Sequence, residues 1–307
     1  PPPPAYQSPT YPQNNYPPPP AYQSPTYPQN NYPPPPPAYQ PPTYPQNNYP
    51  PPPPAYQSPT YPQNNYPPPP SKAVSLEKRL EKEAPHLVNL SKTLGVTLEK
   101  KGLQHMVAKV ALVMDASGSM SSAYKKGVVQ AIMDRVTLVA ARMDDDGSLE
   151  TWFYGSKHRR FPDITVGNIS GYITHNVKGG ALEIVKGLGA GNNEPPVMQE
   201  VVNTYWQSNL PVLVIFITDG GISQGQEIKK ILMEASRYPI FWQFVGVAGS
   251  SYGVLKHFDT MQGRVVDNAN FFQVDDLARI SDSELYDRML NEFPGWLLEI
   301  KSKGILL

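Results

Sequence analysis

The sequence predicts a doubly wound α/β domain, in which a mostly parallel central sheet is covered by helices on both faces. From residue 107 onward, short apolar runs rich in β-branched residues alternate with longer amphipathic stretches. The runs VALVMD (110–115) and VLVIFITD (212–219) are typical of buried parallel strands, whereas 123–143 and 226–238 have helical periodicity. Because the two kinds of segment alternate, we expect crossover connections and therefore a parallel sheet.

Residues 1–70 differ sharply in composition from the rest of the chain. They contain 31 of the 38 prolines and no charged residue. Residues 1–66 are four near-identical copies of the 16-residue unit PPPPAYQSPTYPQNNY, with single extra prolines at 33 and 50. Tyrosine is the only large side chain that this segment could bury, and proline removes backbone donors. We therefore expect a disordered, polyproline II-like tail in front of the folded part.

The tail also repeats the tetrapeptide Pro-Pro-X-Tyr. Five copies end at Tyr6, Tyr22, Tyr39, Tyr44 and Tyr56. The motif resembles the ligand of WW domains, whose aromatic grooves accept a preformed proline helix at low entropic cost. A low-complexity spacer made of Pro and Tyr would produce the same pattern, so a recruiting tail and a passive spacer both stay open.

Composition limits the classes of partner and compartment. The 26 basic and 26 acidic residues balance, which gives no electrostatic reason to expect nucleic acid or an anionic membrane as a partner. The absence of cysteine excludes disulfides and thiolate sites. No run approaches the ~20 apolar residues of a membrane helix, and the chain does not begin like a signal peptide. We therefore expect a cytoplasmic protein.

The part of the chain after the tail divides into two regions. Residues 71–104 carry leucines at near-helical spacing among dense charges, which predicts an amphipathic helical lead-in interrupted at Pro85. Residues 105–307 contain the alternating strand and helix pattern and form the predicted α/β domain.

Polar residues stand where the two most apolar strands end. Asp115 ends the first of these strands and Asp219 ends the second. A third loop, GLGAGNNEPPVM (187–198), presents Asn192 and Glu194 between a glycine-rich turn and a probable helix. Because ligands of doubly wound sheets bind beyond the carboxyl ends of the strands, we expect the three loops to converge there.

The spacing of DASGS, residues 115–119, indicates a metal site. Alternate side chains of an extended loop point the same way, so Asp115, Ser117 and Ser119 can face one point. Oxygen-only ligands of this kind suit Mg²⁺. An alternative interpretation is a turn in which Asp115 and the two serines merely satisfy loop amides.

These residues carry a resemblance to a known family. DASGS matches the DxSxS motif of von Willebrand factor A (VWA) domains, and the downstream ITDGG, which contains Asp219, extends the similarity over roughly 105–300. The pieces SLEKRLEKEAPHLVNL, VALVMDASGSM, DDDGSLETWFYG and GNNEPPVM resemble more specifically the VWA domain of the TerF tellurite-resistance group.

The resemblance implies a Rossmann-like VWA fold, a metal-ion-dependent adhesion site (MIDAS) and a link to tellurite resistance and stress response. The implied ion is Mg²⁺, or Mn²⁺ or Ca²⁺, and an acidic residue of a protein partner completes its coordination. Asn192 stands where the family usually supplies a threonine. Glu194 either faces the partner or turns inward into the partner's position. The implied metal ligands are Asp115, Ser117, Ser119, Asn192 and Asp219.

Two enzyme classes compete with this interpretation. The segment GSSYG (249–253) matches the nucleophile elbow of serine hydrolases, but no acid stands between Ser251 and the only later histidine, His257. An aspartyl phosphotransferase would need a second carboxylate two positions after Asp115, and Ser117 occupies that place. We therefore expect a binding module and no enzymatic activity, with a WW-recruiting scaffold as the alternative.

Overall fold

The computed structural model describes residues 72–306, apart from 181–182, 259–260, 275–276 and 278. The repeat tail (1–70) therefore lies outside the described residues, and its expected disorder stays a prediction. The same holds for the five Pro-Pro-X-Tyr tyrosines, Tyr6, Tyr22, Tyr39, Tyr44 and Tyr56.

The described residues contain six strands and nine α-helices. The strands are β1 (Lys109–Asp115), β2 (Leu149–Tyr154), β3 (His158–Ile164), β4 (Val212–Gly220), β5 (Ile240–Ser251) and β6 (Ala269–Val274). The helices are α1 (Lys72–Glu83), α2 (Val88–Lys100), α3 (Ser121–Lys125), α4 (Val128–Met143), α5 (Tyr172–Asn176), α6 (Glu194–Tyr205), α7 (Gly225–Ala235), α8 (Asp282–Met289) and α9 (Phe293–Ser302).

The six strands form one sheet in the order β3-β2-β1-β4-β5-β6. Every neighbouring pair is parallel except β2 and β3, which are antiparallel. The chain moves outward from β1 to β2 and β3 on one side, then returns to place β4 on the other side of β1. The order thus reverses between β1 and β4, and such a reversal opens a crevice at the carboxyl ends of the two strands. The predicted doubly wound, mostly parallel fold is confirmed.

Both faces of the sheet are buried, which explains why its central strands are apolar throughout. In β1, Val110, Leu112 and Met114 join one hydrophobic cluster, which also contains residues of α4, α8 and α9. The intervening Ala111 and Val113 join the other cluster, against α6 and α7. Side chains of a strand alternate between the two faces, so a strand covered on both faces needs an unbroken apolar run.

The helical lead-in belongs to the first cluster. Leu80, Leu87 and Leu94 are fully buried there. Helix α1 ends before Pro85, a short 3₁₀ turn follows, and α2 packs against α4 and α8. Among the described residues no helix has both the length and the apolarity needed to cross a bilayer.

Candidate metal centre

Asp115 is the last residue of β1, at the point where the strand order reverses. Its side chain is fully buried. Asp115 Oδ1 accepts the Ser117 backbone N–H at 2.8 Å, and Oδ2 accepts the Thr218 hydroxyl at a long 3.4 Å. Burial is the main cause that raises the pKa of Asp115 to about 6, and the charge of Asp219 adds to the effect, while hydrogen bonds from Ser117 oppose it.

The two serines of the DASGS loop lie side by side. Ser117 Oγ and Ser119 Oγ are 3.0 Å apart, although Ser117 is buried and Ser119 is exposed. The Ser119 hydroxyl also hydrogen-bonds the Asp219 carboxylate from the end of β4. Gly118, between the serines, donates its backbone N–H away from this group, to Ala190 O at 2.9 Å. The two hydroxyls therefore lie together, but the extended backbone expected for this loop is wrong, because Gly118–Met120 form a 3₁₀ turn.

Asp219 is the penultimate residue of β4, the strand that neighbours β1 on the other side of the crevice. Its side chain is half-buried, and desolvation raises its pKa while the Ser119 hydrogen bond opposes the shift. Gly249 of the neighbouring β5 lies directly behind it: a Cβ at that position would stand 1.6 Å from the Asp219 carbonyl oxygen. Only glycine permits this approach of two backbones, so β5 and the Asp219 turn can pack in contact.

Asn192 belongs to the loop that precedes α6, and it contacts the Asp219 turn. Its Nδ2 donates to Gly220 O at 2.8 Å, which leaves Asn192 Oδ1 as the amide atom available to a ligand. The loop is held by the turn between β2 and β3: Lys157 N–H donates to Leu188 O at 2.7 Å, and Gly191 N–H donates to Ser156 Oγ at 3.0 Å. The structure thus brings this loop to the same edge of the sheet as Asp115.

Glu194, the first residue of α6, has turned inward. Its side chain is only 1% exposed, and neither carboxyl oxygen has a hydrogen-bond partner. Burial raises its pKa to about 7, and the charges of Asp115 and Asp219 contribute to that rise. Of the two positions expected for Glu194, the structure shows the inward one.

Three buried or half-buried carboxyl groups therefore share one edge of the sheet. Within the described residues, neither Asp115, Asp219 nor Glu194 forms an ion pair with a basic side chain. Buried charges in proteins are normally paired or ligate a metal. Together with two hydroxyls and an amide oxygen, these groups form an oxygen-only donor set that fits a hard divalent cation.

Three further hydroxyls near Asp115 were not identified from the sequence. Tyr124 donates its hydroxyl to the Asp115 backbone oxygen at 2.9 Å. Thr218 donates to Asp115 and accepts the Gly220 backbone N–H at 3.1 Å. Tyr154 is fully buried on β2 in register with Asp115, and its hydroxyl interacts with the Thr218 and Asp115 side chains without ideal hydrogen-bond geometry. The signal for Thr218 was available, because it is a hydroxyl residue inside an apolar strand. Nothing in the sequence pairs Tyr154 with Asp115, since that depends on the register between β1 and β2.

A separate acidic group follows α4. The carboxylates of Asp144, Asp145 and Asp146 lie within 4.8 Å of one another. Asp144 accepts the Val110 backbone N–H at 2.8 Å, and Lys109 forms ion pairs with Asp144 and Asp145. This group adjoins the start of β1, whereas Asp115 ends the same strand, so the two groups stand at opposite edges of the sheet.

Ser251 and His257 are the two residues on which the competing serine-hydrolase interpretation depends. Ser251 is the last residue of β5, and its side chain lies outside the described set. His257 ends the 3₁₀ turn that follows and is exposed.

Several proteins are similar to this chain. The curated relative "Uncharacterized protein YcbR" of Bacillus subtilis (strain 168) is 40% identical over 218 residues, which are 70% of this chain and 88% of that protein. Among solved structures, proximal thread matrix protein 1 of the mussel byssus matches with a TM-score of 0.43 and 14% identity over 60% of this chain and 47% of that chain.

Two more solved structures match at a similar level. The same byssus protein "with zinc occupied MIDAS motif" has a TM-score of 0.42 and 15% identity, with coverage of 60% of this chain and 47% of that chain. The ArnB paralog VWA2 from Sulfolobus acidocaldarius has a TM-score of 0.39 and 13% identity, with coverage of 62% and 46%. This chain thus spans about half the length of the solved chains that it matches.

The family match covers the α/β region of the chain. Residues 107–306 match the family vWA-TerF-like, described as the vWA found in the TerF C terminus. With this match and the 40% identical relative, the chain belongs to the TerF-like von Willebrand A family.

Proposed function

We propose that this chain is a non-catalytic protein-binding module whose site depends on a divalent cation. The observation that carries the proposal is the convergence at one sheet edge of two hydroxyls and three carboxyl groups, with no basic partner among the described residues. Mg²⁺ is the ion that this donor set favours, and Mn²⁺ or Ca²⁺ are alternatives. The residues that would hold it are Asp115, Ser117, Ser119, Asn192 and Asp219.

A cation fits this site on electrostatic grounds. Asp115 is buried, and Asp219 is half-buried close enough to raise the pKa of Asp115. Two such carboxylates carry a charge of −2 that one divalent ion balances. Neutral ligands from Ser117 and Ser119 then add coordination without adding charge. When bound, the ion supplies a Lewis-acidic position that accepts a carboxylate oxygen from an Asp or Glu of a partner protein.

A cavity beside the site provides room for the rest of the partner. It has a volume of about 570 Å³ and begins at Gly118 and Ser121, next to the DASGS loop. Ile173, Val177 and Ile184 give it an apolar wall, and Lys125 and Glu183 line it with opposite charges. The wall can bury an apolar side chain that follows the acidic residue, and Lys125 is the lining group that attracts an acidic segment.

The test is calorimetric titration of the full chain with Mg²⁺ and Mn²⁺, with wild type compared with Asp115→Ala and with Ser117→Ala/Ser119→Ala. Saturable binding by wild type that both variants lose, with thermal unfolding still cooperative, would support the site. Equal binding by wild type and both variants would contradict it. Glu234→Ala is the matched control, because it removes an exposed carboxylate that belongs to neither acidic group and should leave the binding unchanged.

The partner is tested with the same variants. The wild-type chain and Asp115→Ala serve as baits in Mg²⁺ and in EDTA, with Lys125→Glu as a third bait. A partner retained only by wild type in Mg²⁺, and weakened by Lys125→Glu, supports metal-dependent binding beside the cavity. Retention that ignores both the chelator and Asp115→Ala contradicts it.

A second candidate function is recruitment by the tail, which is favoured by its five Pro-Pro-X-Tyr copies. In that case the VWA domain is an anchor, and WW-domain proteins bind the tail. Changing Tyr6, Tyr22, Tyr39, Tyr44 and Tyr56 to Ala should abolish binding to a WW domain while Asp115→Ala leaves it intact. Binding that survives the five changes excludes this candidate.

The biological setting follows from resemblance to the TerF group, and we propose a role in tellurite resistance and stress response. In the host cell, Asp115→Ala should lower tellurite tolerance to the level of a gene deletion if the metal centre carries that role. The non-catalytic assignment is tested with ester and phosphoester substrates. Turnover that Ser251→Ala or Asp115→Ala abolishes would overturn it.

A further inference from the structure

Glu194 is an unusual acidic residue for the face of the helix on which it lies. The buried positions of α6 are Glu194, Val197, Met198, Val201, Val202 and Tyr205. These positions recur at helical spacing, so Glu194 stands on the stripe that otherwise packs apolar side chains against the sheet. A residue chosen for packing alone would be apolar there.

No other residue of the described protein hydrogen-bonds or ion-pairs with the Glu194 carboxyl, and only its own backbone N–H favours the charged form. Among the acidic residues that the structure describes, it is the one whose two side-chain oxygens are both buried without a hydrogen-bond partner. Leaving a buried polar group unpaired costs about 1–3 kcal/mol, and more when the group is charged. The adjacent Asn193 and Pro195 are half-exposed, so a Glu194 side chain that turned outward would reach water. Because the side chain turns inward instead, we expect a ligand that stabilises it there.

The Glu194 carboxyl interacts electrostatically with two carboxylates, Asp115 and Asp219, and both belong to the proposed metal centre. The geometry agrees, because Asn192, two residues before Glu194, donates a hydrogen bond to Gly220 O at 2.8 Å, directly after Asp219. The backbone of α6 adds only the partial positive charge of a helix N-terminus, which does not balance three carboxylates. A cation held by Asp115 and Asp219 would give the Glu194 oxygens the partner that they lack.

We infer that Glu194 is an internal ligand of the metal centre, in the position that a partner's acidic residue takes. This inference rests on the proposed function, because it needs the cation held by Asp115 and Asp219. With Glu194 engaged, three carboxylates surround one divalent ion and the site carries an excess negative charge. An external carboxylate therefore has to displace Glu194, so the resting protein is closed to acidic partners.

The test uses Mn²⁺ and three variants of the full chain. Glu194→Gln removes the charge, whereas Glu194→Asp keeps the charge but shortens the reach of the carboxylate. Glu227→Gln is the control for the loss of one negative charge. Glu227 is exposed in the first turn of α7, the helix that follows Asp219 in the chain. Calorimetry gives the Mn²⁺ affinity, and water-proton relaxation counts the water molecules on the bound ion.

We expect Glu194→Gln and Glu194→Asp to bind Mn²⁺ at least about tenfold more weakly than wild type, since changes even to outer-shell partners cost about 10–100-fold. Each should hold one more water on the ion, and Glu227→Gln should match wild type. Acetate, as a minimal carboxylate, should displace that water in Glu194→Gln and have no effect on wild type.

Three results would overturn the inference. Wild-type affinity in Glu194→Gln shows that the carboxyl is no ligand. Wild-type affinity and hydration in Glu194→Asp, with weak binding by Glu194→Gln, shows that only the charge matters. Release of water by acetate in wild type shows that the position is already open. Failure of the proposed function is recognised separately, because Asp115→Ala would then bind Mn²⁺ as wild type does, or wild type would not bind it at all.

Discussion

Replacing Asp115 with Asn should stabilise the metal-free protein at neutral pH, although it removes a ligand of the proposed metal centre. Burial, more than any other cause, raises the pKa of this carboxyl from 3.8 to about 6. The folded state therefore favours the protonated form, and ionisation of Asp115 at pH 7.5 destabilises it. Because a tenfold change in proton affinity corresponds to about 1.4 kcal/mol, the cost is about 3 kcal/mol.

The Asn side chain can keep the contacts of Asp115. Its Oδ1 can accept the Ser117 N–H that Asp115 accepts at 2.8 Å, and its amide N–H can donate to Thr218 Oγ1, which lies 3.4 Å from Asp115 Oδ2. We expect a gain of about 1–3 kcal/mol in the free energy of unfolding, since some of the benefit is lost to imperfect amide geometry. For a domain of this size, that gain corresponds to a rise in Tm of about 2–10 °C.

The sign of the pH dependence follows from the raised folded-state pKa. The penalty on wild type is fully present above pH 6 and fades as the pH falls towards 3.8. Thermal unfolding in EDTA should therefore show a large difference between Asp115→Asn and wild type at pH 7.5 and about half of it at pH 5. On addition of Mg²⁺, wild type should gain stability and the variant should not. A variant that melts in EDTA at or below the wild-type Tm at pH 7.5 would refute the reasoning.

Two further predictions concern packing. Gly249→Ala should displace the Asp219 turn, because the new Cβ would meet a backbone oxygen at 1.6 Å; we expect weaker Mn²⁺ binding and a loss of about 1–3 kcal/mol by denaturant unfolding. Gly295→Ala is its control, because the new Cβ would meet no atom within 4 Å, and its free energy of unfolding should rise by about 0.5–1 kcal/mol. An equal loss of stability in both variants would contradict the steric argument. Leu94→Ala should lower the free energy of unfolding by about 2–5 kcal/mol, because Leu94 is fully buried in the lead-in. Val96 is 52% exposed, so Val96→Ala should stay within about 0.5 kcal/mol of wild type. Similar values for the two variants would show that the lead-in is not part of the core.

The fold class could be predicted because a two-sided parallel sheet leaves a strong signal in the sequence. The run from Val110 to Met114 is apolar at every position, and this pattern is typical of a strand that is covered on both faces. Strand order leaves no such signal. That β4 pairs with β1 depends on how helices pack on the two faces. The antiparallel pairing of β2 and β3 is local, because only residues 155–157 separate the two strands.

The predicted site shows the same division. Asp115 and Asp219 could be identified because each ends an apolar run. Ser117 Oγ and Ser119 Oγ do lie 3.0 Å apart, but through a 3₁₀ turn at Gly118–Met120 and not through the alternation of an extended loop. The sequence left open whether the Glu194 side chain is buried or faces a partner, although its spacing from Val197 and Met198 is typical of one helix face. Glu194 is the first residue of α6, and helix starts are where sequence periodicity is weakest, because few neighbouring positions define the face.

The helical lead-in has a practical consequence for work on this protein. Family similarity begins at residue 107, but buried leucines of the core begin at Leu76. A fragment cut at the family boundary would lose α1 and α2 and would expose the surfaces of α4 and α8 on which α2 packs. Such a fragment would present a fresh apolar patch to solvent and would tend to aggregate. Loss of binding in that fragment would then report damage to the fold, so the smallest meaningful unit for any binding experiment starts before residue 72.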